Sequence, residues 1–325
     1  MRTLALVVGA TLALVLTGSA AALLTPGRTL TAPAPVGTVA VTNRVVAYAV
    51  GRTKANCGSV VLWDTPRRGH WTFGTRTIVG CEEGPSGGFG IPTVAVTGQR
   101  VLWLTGIGGN ITDWELWTAT PTQRVARRLA LASSDTDGPA AIVLGRGTRE
   151  GVPYAVEHQL TFVAPSGTRL FRTSVESPVR LLAAGSGPGQ ARVIASLADG
   201  RLVVLSRTGV VLRSQSYEPD EVVAIALAAT GPVVQTGRDV SVCCSPTGPF
   251  VTMLPPGARM LDYRQRTIVY RKGTQVRARR VPSETDTLLR TISVKPWQAM
   301  PFATDPGGST WADGPRVSYR SGPLR

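Results

Sequence analysis

Short apolar runs separated by polar, glycine-containing turns recur along most of the chain. The clearest example is Pro92–Thr120. Its three apolar segments are Val94–Val96, Val101–Leu104 and Glu115–Thr118, with short polar turns at 97–100 and a longer loop expected at 106–113. β-Branched and aromatic residues between such turns are typical of a tight antiparallel meander. We therefore expect three consecutive strands in this stretch.

The same meander recurs at a period of about 40 residues. Thr38–Thr65 is the best second copy, because both copies begin with TVAVT and end in Leu-Trp followed by a polar residue. Further copies are weaker, and the successive starts are Thr38, Thr93, Ala140, Val179, Glu221, Ala258 and Ala299. Second, third and fourth strands follow most starts, and the helical apolar spacing is almost absent beyond the N-terminus. Four strands at this period predict the blades of a β-propeller.

The count of strands favours seven blades in an all-β fold. Six blades are complete, with the fourth strand of blade one expected at Thr75–Val79. The last segment supplies only three strands, and a propeller must close its ring or leave an open sheet edge. A strand at Thr29–Ala32 could complete that blade. Six blades are the alternative if the last segment is a tail.

At TVAVTGQRVLW…DWELWT the sequence resembles the WD40-like repeats of TolB-type propellers. The resemblance is clear in the first two blades and rests on spacing elsewhere. Asn43 and Gly98 stand where that family usually has Asp at the first turn. The resemblance implies an architecture and transfers no function.

The N-terminal segment predicts export. Arg2 precedes an apolar run from Leu4 to Leu24 that ends in small residues, the pattern of a signal peptide. We expect residues 1–22 to be this leader or an uncleaved anchor, residues 23–37 a Pro-rich linker or ring-closing strand, and 38–325 the propeller domain. A secreted or cell-envelope location follows, with membrane contact only through an uncleaved leader.

Four cysteines in an exported chain invite disulfide bonds. Cys57 and Cys81 flank the outer part of the first blade, and a bridge between them would close a loop of about 25 residues. Cys243 and Cys244 are adjacent, so they are either a thiol pair with opposite orientations or a strained vicinal disulfide.

A net charge of +15 comes almost entirely from arginine. The densest stretch, Arg264–Arg280, contains no acidic residue. Its candidate binding residues are Arg264, Arg266, Arg271, Lys272, Arg277 and Arg279, joined by Trp114 at the exit of the long loop in blade two. Such a surface could bind an anionic cell-envelope polymer or an acidic protein. A solvated outer edge strand is the competing interpretation and the one we favour.

Reactive groups are sparse. His70 and His158 are far apart and are expected at the surface, and no His/Cys spacing typical of zinc occurs. Gly84–Gly88 matches G-x-S-x-G but lies in a Gly/Pro loop without a following helix. Neither a catalytic residue, a metal nor a cofactor is expected, and export argues against nucleic acid.

The sequence thus favours a monomeric, non-enzymatic binding or scaffold propeller with an unknown protein or polymer as partner. Two alternatives stay open. One is an enzyme of hydrolase or lyase type with its site at the channel mouth, and the other is a polyanion-binding surface protein.

Overall fold

The protein is a seven-bladed ring of antiparallel sheets. The computed structural model describes residues 27–51, 58–74, 88–108, 110–135, 139–185, 187, 190–242, 250–283, 285–294 and 299–322. Within these ranges the strands form seven four-stranded sheets and no helix is present. The all-β prediction and the preference for seven blades are confirmed.

The first strand of the described chain belongs to the last blade, and blades one to three follow it. The outermost strand of blade seven is β1 (Arg28–Thr31). Blade one contains β2 (Val36–Thr42), β3 (Val45–Val50), β4 (Ser59–Asp64) and β5 (Gly69–Gly74). Blade two contains β6 (Gly88–Thr97), β7 (Arg100–Gly108), β8 (Ile111–Ala119) and β9 (Arg127–Asp135). Blade three contains β10 (Ile142–Leu144), β11 (Val152–Val156), β12 (Gln159–Val163) and β13 (Arg169–Ser174).

The remaining blades repeat the same meander. Blade four contains β14 (Val179–Ala184), β15 (Ala191–Leu197), β16 (Arg201–Ser206) and β17 (Val211–Ser216). Blade five contains β18 (Val222–Ala228), β19 (Gly231–Thr236), β20 (Asp239–Val242) and β21 (Phe250–Met253). Blade six contains β22 (Arg259–Arg264), β23 (Thr267–Lys272), β24 (Gln275–Arg280) and β25 (Thr285–Thr291). Blade seven contains β26 (Phe302–Asp305), β27 (Gly308–Asp313) and β28 (Arg316–Ser321), to which β1 is added.

Ring closure uses the two ends of the described chain. The strand expected at 29–32 is β1, and it pairs with β28 in a register that places Arg28 opposite Tyr319 and Thr31 opposite Arg316. This pairing covers the β28 edge that a three-stranded last blade would leave open.

The core lies between the blades. Alternating residues of each strand point to opposite faces of a sheet, so both faces of a blade are apolar and pack on its neighbours. Seven clusters of buried side chains occupy the seven interfaces between adjacent described blades. Trp103 is fully buried between blades one and two, where its ring stacks on Phe73 with 6.4 Å between centroids.

Two strand predictions are corrected. The fourth strand of blade one is β5, upstream of the expected Thr75–Val79, which lies outside the described residues. The stretch 106–113, expected as a long loop, instead contains the end of β7, which runs to Gly108, and the start of β8 at Ile111. Gly106 looked like a turn signal, but a Cβ there would lie 3.0 Å from Trp114 Cζ3, so glycine makes room for the indole on the strand.

Repetition of the meander gives the ring two distinct ends. The first strands of successive blades surround the channel, and the turns from first to second strand lie at one end of it, which we call the first-turn face. The turns from second to third strand lie at the other end, the second-turn face. No helix in the described ranges is long and apolar enough to cross a membrane.

Candidate functional site

A cluster of charged side chains lies at the first-turn end of the channel. We call Arg146, Asp262, Arg264 and Thr304 the channel cluster. Arg146 follows β10 of blade three, Asp262 and Arg264 belong to β22 of blade six, and Thr304 belongs to β26 of blade seven. Blades six and seven lie opposite blade three in a ring of seven. The cluster therefore spans the channel.

Asp262 is the centre of this network. Its Oδ1 forms an ion pair with Arg146, and its Oδ2 accepts hydrogen bonds from the Thr304 hydroxyl and from Arg264 Nε, the latter at 2.6 Å. Both arginines also donate to the Thr304 carbonyl oxygen, Arg264 Nη2 at 3.1 Å. One carboxylate and one carbonyl thus hold two guanidinium groups in fixed positions.

The pKa values in the cluster follow from burial and charge. The Asp262 side chain is only 7% exposed, and burial alone would raise the pKa of its carboxyl group. The charges of Arg146 and Arg264 outweigh burial and lower that pKa to about 2. Burial and the neighbouring Arg264 charge lower the pKa of Arg146 to about 10, against the opposing effect of Asp262. Both groups remain charged at neutral pH.

Two glycines allow Arg146 to reach the channel. A Cβ on Gly145 would lie 2.8 Å from Pro153 Cγ, and one on Gly147 would lie 2.4 Å from the Val96 carbonyl oxygen. Blades two and three approach each other closely here, and Arg146 itself forms a parallel bridge to Ala183 of blade four. The Gly-Arg-Gly sequence after β10 is the only feature of the sequence that singles out Arg146. The sequence alone does not show that Asp262, its partner, lies across the ring.

The cluster closes one side of a cavity of about 190 Å³. First strands of blades one, two, six and seven and the segment after β10 line it, mostly with apolar side chains such as Val39, Val94 and Phe302. Its titratable lining residues are Arg146 and Asp262. A carboxyl group with a pKa of about 2 is a weak base, and a guanidinium is a weak acid near neutral pH, so this pair is poorly suited to proton transfer.

The structure separates the basic residues that the sequence grouped together. Arg264 lies in the channel cluster, and Arg266 lies exposed in the first turn of blade six. Arg271 and Lys272 end β23 and therefore lie at the second-turn face. These residues do not form one surface. Their role in binding stays a prediction.

Arg277 and Arg279 lie on β24, which pairs with β23 and β25 on its two sides. The preferred interpretation of an outer edge strand is therefore wrong for this segment. Arg279 forms two hydrogen bonds with Asp286 of β25, at 3.0 and 2.6 Å, and donates to the Met253 carbonyl of blade five. Arg277 donates to Gln275 Oε1 at 3.0 Å. An interior strand tolerates these cations because neighbouring acceptors compensate them.

Trp114 is a half-buried strand residue. It lies within β8 opposite Gly106, and its Nε1 donates to Ser134 Oγ at 2.9 Å. The predicted position of Trp114 at the exit of a long loop is therefore wrong. Its role in binding is still a prediction.

Several other candidates are outside the described residues or at the surface. Cys57, Cys81, Cys243 and Cys244 lie outside the described ranges, as does the leader. His70 and His158 are exposed, as expected. In the described part of the chain, no group of three or more His, Cys, Asp or Glu side chains is arranged to hold a metal ion.

Comparison with solved structures identifies the architecture. A chain of the mitotic checkpoint complex aligns over 98% of both chains, with a TM-score of 0.57 and 14% identity. Raptor from Chaetomium thermophilum aligns over 91% of this chain and 28% of its own length, with a TM-score of 0.53 and 12% identity. Both are WD40 propeller proteins. The chain has a WD40-like propeller fold.

Comparisons of the sequence add nothing to this. No model of a protein family matches the chain, and no curated protein matches it either. At identities this low, the structural likeness shows the fold alone.

Proposed function

We propose that the protein is an exported, non-enzymatic propeller that binds a partner protein at the first-turn mouth of its channel. The channel cluster carries this proposal. It holds Arg146 and Arg264 in fixed positions at the mouth, and an arrangement held in advance lowers the entropic cost of binding. Propellers of the WD40 kind are consistent with a scaffold role.

Charge at the mouth indicates an acidic segment of the partner. Arg44 and Arg266 lie exposed in the first turns of blades one and six, at the same end of the channel as the two arginines of the cluster. Asp262 of β22 and Asp305 of β26 offset part of this positive charge, so these six groups sum to +4 − 2 = +2. Complementary charge would steer an acidic segment to this end of the ring.

Two pairs of exposed basic residues, one pair at each end of the channel, allow the site to be tested. We would measure binding of a fluorescein-labelled decaglutamate peptide by anisotropy at near-physiological salt. The double variant Arg44→Glu with Arg266→Glu should weaken binding at least about tenfold, since each reversal removes an attraction and adds a repulsion. Arg238→Glu with Lys272→Glu makes the same change at the second-turn face and should have little effect.

The outcomes separate the alternatives. Equal losses in both variants would show general attraction of a polyanion to a basic protein, and no loss in either would overturn the proposal. Substrate turnover in a broad hydrolase and lyase screen would overturn its non-enzymatic part. Export is tested separately by sequencing the N-terminus of the mature protein, which should begin just after Ala20 or Ala22.

A further inference from the structure

The outer strand of blade four is unusually uncovered. Every residue of β17 is exposed, whereas each of the other six outer strands has at least one buried or half-buried residue. Val211 and Leu212 are each 49% exposed, and the preceding Val210 is 61% exposed. Three consecutive exposed apolar residues at a sheet edge are what proteins commonly avoid.

The backbone of β17 offers hydrogen-bonding groups on its free side. The strand order of the sheet is β14-β15-β16-β17, so β17 has a strand neighbour on one side only. The Tyr217 amide donates inward to the Gly200 carbonyl at 3.1 Å. Because inward and outward groups alternate along an antiparallel strand, the N–H and C=O groups of Ser214 and Ser216 point to the free edge.

A bulge divides this edge into two parts. Arg213 pairs with Val204 and Val211 with Leu205, which leaves Leu212 as the extra residue. A regular edge therefore extends over Arg213–Ser216, and the apolar residues 210–212 lie at one end of it. An added strand would form backbone hydrogen bonds with Arg213–Ser216, and its side chains would contact the apolar residues 210–212.

We propose that an extended, acidic segment of a partner protein adds to β17 as a fifth strand of blade four. Its acidic character follows from charge complementarity, because Arg207 is exposed next to the apolar end of this edge and residues 206–216 contain no acidic residue. The acidic residues of 218–221 follow the other end of the strand. The acidic residues of the segment thus lie near Arg207, and its β-branched residues cover the apolar side chains of 210–212.

A second copy of this chain is a poorer occupant. Each copy carries a net charge of +15, so two copies repel one another at the distance of paired strands. The proposed surface is on the rim of the ring and goes beyond the binding function placed at the channel mouth. The two surfaces use different residues and can be tested separately.

The decisive variant is Ser214→Pro. Its proline removes an outward N–H that no strand of the blade uses, so the fold should tolerate it while strand addition is blocked. A phage-displayed library of random dodecapeptides would be selected on the whole wild-type protein. We expect enrichment of peptides that alternate acidic and β-branched residues, and a synthetic representative should bind S214P at least about tenfold more weakly.

Leu212→Glu provides a second variant and Leu288→Glu its control. Leu288 is 48% exposed on β25, so the control introduces the same charge at an equally exposed site on another outer strand. Leu212→Glu should weaken the peptide at least about tenfold, and Leu288→Glu should not. Amide hydrogen exchange at Ser214 and Ser216 should slow when the peptide is bound.

Three results would overturn the proposal. They are equal peptide binding by wild type and both β17 variants, enrichment of basic or patternless peptides, and self-association in sedimentation that S214P abolishes. Thermal unfolding of each variant shows whether lost binding reflects lost fold. Normal binding of the decaglutamate peptide by S214P would show that the channel mouth is intact, so failure here leaves the channel-mouth proposal standing.

Discussion

The guanidinium group of Arg146 in blade three forms an ion pair with the carboxylate of Asp262 in blade six, across the channel. The same carboxylate accepts hydrogen bonds from Arg264 and from Thr304 of blade seven. Side chains of three blades thus share one buried anion. Most of the ring is held by apolar packing between neighbouring blades, whereas this network joins blades that are not adjacent.

Asp262→Asn should destabilise the protein strongly. The amide keeps the shape of the side chain but leaves Arg146 and Arg264 without their shared negative charge, and breaking a buried pair in this way costs about 3–5 kcal/mol. Urea unfolding followed by tryptophan fluorescence would measure the change in the free energy of unfolding.

Arg146→Met combined with Asp262→Leu is the matched control. It removes both charges together, so the double variant should lose less stability than D262N. A D262N protein within about 1 kcal/mol of wild type would contradict a structural role for the carboxylate.

The acid stability of the protein should depend on Asp262. Its pKa is lowered to about 2 in the folded protein from an ordinary value of 3.8. The charged form therefore contributes stability above about pH 4, and this contribution is lost as the pH falls through 2. The shift corresponds to about 2 kcal/mol. Between pH 5 and pH 2, the free energy of unfolding should fall by about 2 kcal/mol more for wild type than for D262N.

Much of the fold could be predicted because the physics is local and repeated. Segments such as TVAVT and VVAIALA carry their strand character in β-branched residues, and turns mark their ends. Errors arose where one residue type serves two purposes. Gly106 resembles a turn but accommodates the ring of Trp114, and charged Arg279 resembles a solvated edge but is paired with Asp286 inside a sheet.

The candidate sites were less accessible from sequence. Arg146 and Asp262 are 116 residues apart in the chain and meet only because the ring closes. The apolar residues Val210–Leu212 have the composition of a strand, but that composition does not reveal that the blade leaves them uncovered. Spacing along the chain predicts strands, but contacts across the channel and exposure at the rim depend on the assembled ring.

Leu30→Pro should open the ring at blade seven. The Ala32 amide donates to the Pro315 carbonyl at 2.8 Å, so by alternation the Leu30 amide also faces β28 and the Thr31 amide faces solvent. Proline at Leu30 removes a hydrogen bond that closes the ring and leaves a β28 carbonyl without its donor, which should cost about 1–3 kcal/mol. Thr31→Pro removes an outward amide from the same strand and should cost much less. Similar thermal midpoints for the two variants would show that β1 pairing contributes little to stability.

Alkaline stability should depend on the buried tyrosines. Burial between blades one and seven raises the pKa of Tyr48 to about 12, from an ordinary value of 10. A raised pKa means that the folded protein holds its proton more tightly than the unfolded chain. The resulting stability is complete below pH 10 and is lost as the pH rises through 12. Complete loss corresponds to about 3 kcal/mol for this residue.

Tyr48→Phe isolates that contribution, because phenylalanine keeps the ring between the blades and removes the ionisable hydroxyl. Between pH 9 and pH 12 the unfolding free energy of wild type should fall by about 2–3 kcal/mol more than that of the variant. Tyr319 has a pKa also raised to about 12, chiefly by burial, and is unchanged in both proteins, so its titration cancels in the difference. Parallel pH profiles for the two proteins would show that the Tyr48 hydroxyl titrates as it does in water, and hence that the interface between blades one and seven opens readily to solvent.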